Sequence, residues 1–310
     1  MSKKNKSHKN ISKITINMTP PSQSVYLHQL KEKHELIQEL RNTDYSKITN
    51  DELRSKLTRI LSYSNGNGAY FMPMNVPTHH IPLNSLLYRI RTIDSSIECN
   101  DDLWYPPSKN ISRRGRLNDI NEPVLYVAGD IGTTLGEMRI KVGQEFYLLF
   151  YKVKNPISLI DISSSSGMDS RYKKVEEMVG NFLIDEFSII VPDNDNDRYK
   201  ISNLIGKCFY NYQVYNLDGW IYPSAVRSGK KSIAIDALKC KEKLSFLFVA
   251  KGTLETETNF TLELPKVLNQ EDDKLYLLSN LIETGDIEYY DSKALNDIET
   301  IWGTHFEQLQ

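Results

Sequence analysis

The stretch GRLNDINEPVLYVAGDIGTTLGEMR, Gly115 to Arg139, decides how this chain is read. Its middle, VLYVA (Val124 to Ala128), is a short run of strand-forming residues closed by a glycine. Asp130 then stands as a natural helix N-cap, with Thr133 three residues on. A helix built only for stability rarely carries Gly132 and Gly136, since each interior glycine costs about 1 kcal/mol relative to alanine. Glu137 follows the second of them. Two readings of it stand side by side. Thr134-x-x-Glu137 matches a capping box, which makes the carboxylate a structural cap. Alternatively the glycines let something approach the backbone closely, and Glu137 faces a ligand.

Upstream, LLYRIR (Leu86 to Arg91) reads as a strand whose period of two puts Leu86, Tyr88 and Ile90 on one face and Leu87, Arg89 and Arg91 on the other. Two guanidinium groups about 6 to 7 Å apart along one face repel unless anions lie between them. A pyrophosphate fits the planar arginine fork; an exposed face with carboxylate partners is the plainer alternative. Arg113, Arg114 and Arg116 form a basic knot that either holds phosphates or is a surface patch. Downstream, DGWIYPSAVRSGKKSIAI (Asp218 to Ile235) turns at Asp-Gly, runs as a strand to Pro223 and leaves Ser224 at its end. No histidine lies near enough in sequence to make it a hydrolase triad, and a turn serine is the simple reading. Tyr126 by itself reads equally well as core.

Further strands are expected at EFYLLFYKV (Glu145 to Val153), SIAI (Ser232 to Ile235) and FLFVA (Phe246 to Ala250). Helical patterns lie at Thr133 to Lys141, Ser170 to Phe187 and Tyr199 to Tyr215. Nearer the N-terminus, Ser24 to Tyr63 is helical in composition, with Tyr26, Leu30, His34, Ile37 and Leu40 spaced as one face. Thr49-Asn-Asp-Glu52 is a capping-box match that opens a second helix. Residues 1 to 24 are polar and lysine-rich, most simply a disordered tail, and lack the apolar segment of a signal peptide.

Composition narrows the function. The chain has 310 residues, 40% of them hydrophobic, and a net charge of −2, a balance that argues against a general nucleic-acid binder. Cys99, Cys208 and Cys240 are far apart and form no C-x-x-C pair, so neither a disulfide framework nor a zinc site is expected, and a reducing cytoplasm fits. No apolar run approaches the ~18 residues that cross a bilayer. DNDND (Asp193 to Asp197) lacks the glycine and glutamate of a calcium loop, His79 and His80 have no partner at ligand spacing, and Ser163 to Ser166 reads as a surface loop. There is no G-x-G-x-x-G and no Walker A motif.

Taken in order, LYRIR, the Pro-Pro turn of LWYPP (Leu103 to Pro107), GRLN, LYVAGDIGTTLGEMR and DGWIYPS resemble the RES family over roughly residues 84 to 238. That family is named for its arginine, glutamate and serine. It includes NAD-consuming toxins of bacterial toxin–antitoxin pairs, with a fold similar to ADP-ribosyltransferases. The resemblance implies an α+β fold, a mainly antiparallel mixed sheet flanked by helices, with a helical N-terminal extension. It divides the chain into the tail (1–24), the extension and linker (25–80), a catalytic domain (81–250) and a C-terminal extension (251–310). Position by position it makes Arg89, Tyr126, Glu137 and Ser224 catalytic, with Arg91 second to Arg89 as the family arginine. Tyr88, Arg91, Arg116 and Asn118 become further NAD-contacting residues. NAD is then substrate, with no metal and no other cofactor, and no nucleic acid or membrane is engaged. A helix-turn-helix antitoxin is the implied protein partner.

The implied roles follow glycoside chemistry. Glu137 steadies an oxocarbenium-like ribose, Arg89 binds the pyrophosphate, Tyr126 orients nicotinamide, and Ser224 bonds a phosphate or the leaving amide. Leu135 stands where arginine-modifying transferases commonly carry a second carboxylate, which favours water or phosphate as acceptor over a protein. A protein-modifying transferase and an inactive binding module are the alternatives. The chain departs from many relatives at Ala225, which replaces a second serine, at Lys231 or Ser232, where an asparagine is common, and at Ser202-Asn203, in place of Thr-Gln.

Overall fold

The computed structural model describes residues 22–64, 70–73, 77–93, 97, 99–163, 172–192, 195–211, 213–263, 266–268, 274–277 and 300. In chain order the helices are α1 (Gln23–Arg41), α2 (Asn50–Leu61), α3 (Ile131–Glu137), α4 (Lys173–Ser188), α5 (Lys200–Leu204) and α6 (Ala237–Lys243). The strands are β1 (Ser62–Ser64), β2 (Tyr70–Pro73), β3 (Thr78–Ile81), β4 (Leu86–Thr92), β5 (Val124–Ala128), β6 (Glu145–Val153) and β7 (Ile157–Asp161). They continue as β8 (Gly219–Pro223), β9 (Lys231–Asp236), β10 (Leu244–Leu254), β11 (Phe260–Leu262), β12 (Lys266–Leu268) and β13 (Leu275–Leu277).

Strands β1 and β2 form a small antiparallel pair. The main sheet runs β13-β12-β10-β6-β4-β5-β9-β8-β7-β3, with β11 paired to β10. Every neighbouring pair is antiparallel except β7 with β8. The expected mixed, mainly antiparallel sheet flanked by helices is therefore the fold. The apolar runs from Glu145 to Val153 and from Val124 to Ala128 are strands over those same residues, because a near-continuous apolar run suits a sheet covered on both faces.

Alternation assigns each strand's residues to a layer. On one face Leu87, Leu125, Val127, Leu149, Ile233 and Ile235 pack under α6 and the turn holding Leu103 and Trp104. On the other, Ala234, Trp220 and Tyr222 lie beneath α1, α2, α4 and α5. A third cluster on this side, Tyr88, Ile90, Phe146, Leu148 and Phe150, is covered by Ile131 and Leu135 of α3. The N-terminal helices have no core of their own. Leu36, Leu40, Leu53 and Leu57 share one cluster with Phe182 and Phe187 of α4.

The Thr49 capping box forms as expected, with Glu52 N donating to Thr49 Oγ1 at 3.2 Å and Thr49 N to Glu52 Oε2 at 3.0 Å. The buried face of α1 differs from expectation. His34 is exposed, while Gln29 and Lys33 are fully buried. Chain ends that meet α1 supply the reason. Gln29 Nε2 donates to Ser64 O at 2.9 Å, and Lys33 Nζ donates to Ile60 O at 3.0 Å and Ser62 O at 2.7 Å, where α2 leaves carbonyls unpaired. Likewise the expected helix from Tyr199 to Tyr215 ends early, in a wider turn over Ile205–Phe209 closed by Tyr210 N on Ile205 O at 3.0 Å. Ser163 bonds Asp161, and residues 164–166 of the serine run, like residues 1–21 and 193–194, lie outside the described residues.

One irregularity in the sheet matters most. β4 pairs with β6 along its whole length but touches β5 at a single pair, Tyr88 with Ala128. Continuing that register would set Ile90 opposite Tyr126, but the strands have already parted. A cavity of about 640 Å³ opens between them, lined from one side by residues 89–92 of β4 and from the other by Tyr126 and Val127 of β5.

Candidate active site

Glu137 is the last residue of α3, whose other end is capped by Asp130: its Oδ1 accepts from Thr133 N at 2.9 Å. Thr134 Oγ1 donates to Ile131 O instead of capping, so the capping-box reading of Glu137 does not hold. The helix closes with Ile140 N on Leu135 O at 3.1 Å and Arg139 N on Gly136 O at 2.9 Å, Arg139 taking a left-handed φ of 51°. A carboxylate at the negative end of a helix is placed against its dipole. Contacts from elsewhere hold it there. Oε1 accepts from Ser224 Oγ at 2.6 Å, Ser232 Oγ at 3.0 Å and Ala225 N at 3.2 Å. Oε2 accepts no hydrogen bond among the described residues, and Glu137 lines the cavity.

The two glycines of α3 are explained by the same loop. A Cβ on Gly136 would stand 2.9 Å from Val226 Cγ2, and one on Gly132 would collide with the Arg227 guanidinium. Something does approach this backbone closely, as expected, but it is the chain's own β8–β9 connection. That connection is a tight turn with Ser224 N on Lys230 O at 2.9 Å and Gly229 at a φ of 75°. Ser224 Oγ also accepts from Val226 N at 3.3 Å and Arg227 N at 3.2 Å. With its proton on Glu137, this hydroxyl is fully engaged and does not line the cavity. Its geometry is that of a residue that places Glu137; the hydroxyl expected to meet a phosphate or the leaving amide is engaged by protein partners.

Tyr126 crosses from β5 to the GRLN turn. Its hydroxyl accepts from Leu117 N at 3.0 Å and donates to Asn118 Oδ1 at 2.9 Å. Gly115 is required beneath it, because a Cβ there would run into Asn118 Oδ1. Burial pushes the phenol's pKa up, with the Leu117 amide pulling the other way. The hydroxyl is thus saturated and protonated, and the ring is what the cavity receives. Asn118, expected as an NAD contact, lines the cavity while orienting Tyr126.

Arg89 and Arg91 share the face of β4 opposite Tyr88, as the alternation requires. Arg91 is tied through Nη1 to the Asp102 carbonyl. Arg89 Nη1 is sealed from solvent without a hydrogen-bond partner among the described residues, although the residue borders the cavity. Burial opposes its charge and Tyr151 beside it favours it; an arginine stays protonated through such shifts. A buried unsatisfied guanidinium N–H costs stability and is the group here most in need of an anion.

Two expected NAD contacts sit differently. Tyr88 packs edge-on against Phe150 at 5.3 Å between centroids, beneath α3 and outside the cavity lining, because Ala128 opposite it leaves room for its ring. Arg116 borders the cavity, but its Nη1 donates to Phe187 O at 2.7 Å and Ile189 O at 3.1 Å, at the end of α4. Its guanidinium lies 5.7 Å from the centroids of both Tyr199 and Tyr222, so it serves as a helix C-terminal clasp. Arg114 pairs with Asp119 at 2.8 Å and Asp197 at 3.1 Å. Ser232 was noted in sequence only as a departure. The available signal is a lone hydroxyl at the head of the apolar run Ile233-Ala234-Ile235, on the face carrying Ala234. Among the described residues no group of histidine, cysteine, aspartate and glutamate is arranged to hold a metal ion, and no helix is long and apolar enough to cross a membrane.

A sheet split beside a serine-clamped glutamate, with a buried arginine on the facing strand, defines a cleft built around one fixed carboxylate. The RES domain family model matches residues 86–244, just over half of the chain, and the chain belongs to the RES family. Among solved structures, it is similar to a chain of the Mycobacterium tuberculosis MbcT–MbcA toxin–antitoxin complex, at 12% identity and a TM-score of 0.35, covering 57% of this chain and 91% of that one. No curated protein matches the chain.

Proposed function

We propose that this protein cleaves the nicotinamide–ribose bond of NAD, acting as a toxin or defence effector that depletes the cytoplasmic NAD pool. The observation that carries this reading is the wiring of Glu137: three donors hold Oε1, none among the described residues meets Oε2, and the residue lines a cavity of about 640 Å³. A volume of that order suits a small organic ligand. Five arginines border the cavity against two glutamates, which makes its field positive, although Arg91, Arg114 and Arg116 already hold protein partners.

In the reaction the C1′–N bond breaks with its electron pair passing to the pyridinium nitrogen, so nicotinamide leaves neutral. Glu137 stabilises the positive charge that develops on the ribose and bonds its hydroxyls. Arg89, whose side chain borders the cavity, binds the pyrophosphate and so fixes the sugar under the carboxylate. The Tyr126 ring, held by its saturated hydroxyl, orients the nicotinamide plane. The acceptor oxygen then bonds C1′ and gives up its proton. Leu135, which packs into the apolar cluster beneath α3, offers no second carboxylate to activate a protein side chain. Water or inorganic phosphate is therefore the acceptor in this reading. An antitoxin of the helix-turn-helix type belongs to the same reading.

The test is to incubate the purified protein with labelled NAD, with and without phosphate, and with cell lysate. Free ADP-ribose, or its 1″-phosphate when phosphate is present, is the expected product. Label found only on a lysate protein, with no free product, would replace this reading with a protein-modifying transferase. No nicotinamide release under any condition would leave an inactive binding module.

A further inference from the structure

We propose that Ser232, which lines the cavity beside Glu137, acts as a positioning residue: with Ser224 it clamps Glu137 Oε1, and turnover depends on that clamp. The inference rests on the NAD-cleaving reading of the same site.

The sheet shows why this hydroxyl lies where it does. The paired residues Phe150, Tyr88, Ala128, Ser232 and Tyr222 form one row across β6, β4, β5, β9 and β8. Residues directly paired project from the same face. Three of the five are large aromatics, and the two small ones, Ala128 and Ser232, lie side by side. That gap is where the end of α3 can lower a side chain onto the sheet. Ser232 is the hydroxyl-bearing member of the gap and is 4% exposed. Its Oγ meets Glu137 Oε1 at 3.0 Å from beneath, while Ser224 Oγ, at 2.6 Å, comes from the turn just past the other strand of the hairpin. Both legs of the β8–β9 hairpin therefore grip one oxygen.

Either serine alone leaves the carboxylate free to rotate about its last bond, exchanging Oε1 and Oε2 or turning away from the cavity. Two hydroxyls on separate strands, with the Ala225 amide, fix its plane. Only then does the carboxylate keep a constant orientation at the edge of the cavity. A buried serine whose proton had no such acceptor would be costly here, ahead of the buried Ile-Ala-Ile run of the same strand.

The test compares Ser232→Ala, Ser232→Thr and Ser224→Ala with the unsubstituted protein, measuring kcat and KM for NAD. The same proteins, without ligand, are examined by side-chain carbonyl 13C relaxation at Glu137. For Ser232→Ala a roughly tenfold fall in kcat is expected, the size of one hydrogen bond to a charged group, with KM within about twofold. Glu137 should become more mobile. Ser232→Thr retains the hydroxyl and should recover most of both. An unchanged kcat in Ser232→Ala overturns the proposal, and so does a raised KM with kcat intact, which would make Ser232 a substrate contact. Should the unsubstituted protein release no nicotinamide, the functional reading fails by itself. The relaxation measurement then still decides the clamp: an equally rigid Glu137 in Ser232→Ala refutes it.

Discussion

Replacing Glu137 with glutamine isolates the charge that the site is built to hold. The side chain keeps its length, and the amide oxygen can still accept from Ser224 Oγ, Ser232 Oγ and Ala225 N, now at 2.6, 3.0 and 3.2 Å. The amide nitrogen then takes the place of Oε2 and turns a donor toward the cavity. Three bonds to an ion become bonds to a neutral oxygen, each losing about 1 kcal/mol at most. Against this, about 0.3–1 kcal/mol of repulsion from the C-terminal end of α3 disappears. Thermal stability should consequently change by only a few degrees. The rate should not survive so well. A positively charged ribose then faces an N–H dipole instead of a carboxylate, and turnover of NAD should fall at least a hundredfold, equivalent to ~2.7 kcal/mol of barrier. Nicotinamide release, followed beside a melting curve on the same sample, is the assay. A folded Glu137→Gln protein that turns over NAD at the original rate would refute the role assigned to the carboxylate.

Arg89→Ala should raise KM for NAD and lower kcat; Arg91→Ala should cost less activity. If Arg91 proves the costlier of the two, the phosphate-binding position is displaced by one pleat. Gly136→Ala places a methyl 2.9 Å from Val226 Cγ2 and should push the β8–β9 turn off Glu137, cutting turnover about tenfold or more even though alanine is the better helix former. Gly132→Ala meets only the movable end of Arg227 and should cost far less activity; equal losses in the two variants would show that helix propensity, not the loop contact, governs both. Lys33 is the subject of a pH test: burial lowers its pKa from 10.5 to about 7, so between those values the unfolded chain binds the extra proton. Its contribution therefore makes stability rise with pH from about 7 toward 10, and the difference in unfolding free energy from Lys33→Met should shift in the protein's favour over that range. A pH-independent difference would mean that the carbonyls around Nζ keep it charged throughout.

Much of the architecture can be read from local pattern alone. A buried strand announces itself by a short run of apolar and aromatic residues and by what stops it, so Val124–Ala128, Glu145–Val153 and Gly219–Pro223 have the same limits in sequence and in structure. Caps are equally local: Thr49 with Glu52, and Asp130 with Thr133, each lie within one helical turn. The order of arginine, tyrosine, glutamate and serine along the chain was enough to suggest the family. The opposite faces of Tyr88 and Arg89 also follow from a period of two.

What those residues do to one another needed the folded chain. The parting of β4 and β5 after one pair depends on which strands become neighbours, and no local signal encodes that choice. Glu137 acquires its three donors from a hairpin about ninety residues further on, and Gly136 is small because that hairpin's Val226 presses on it. Arg116 resembles a phosphate ligand in sequence because a guanidinium carries the same chemistry everywhere; the end of α4 occupies it first. The buried side of α1 moved from His34 to Lys33 for the same kind of reason. Hydrophobic spacing identifies a helix face, but unpaired carbonyls arriving from another element decide which polar residues that face must include.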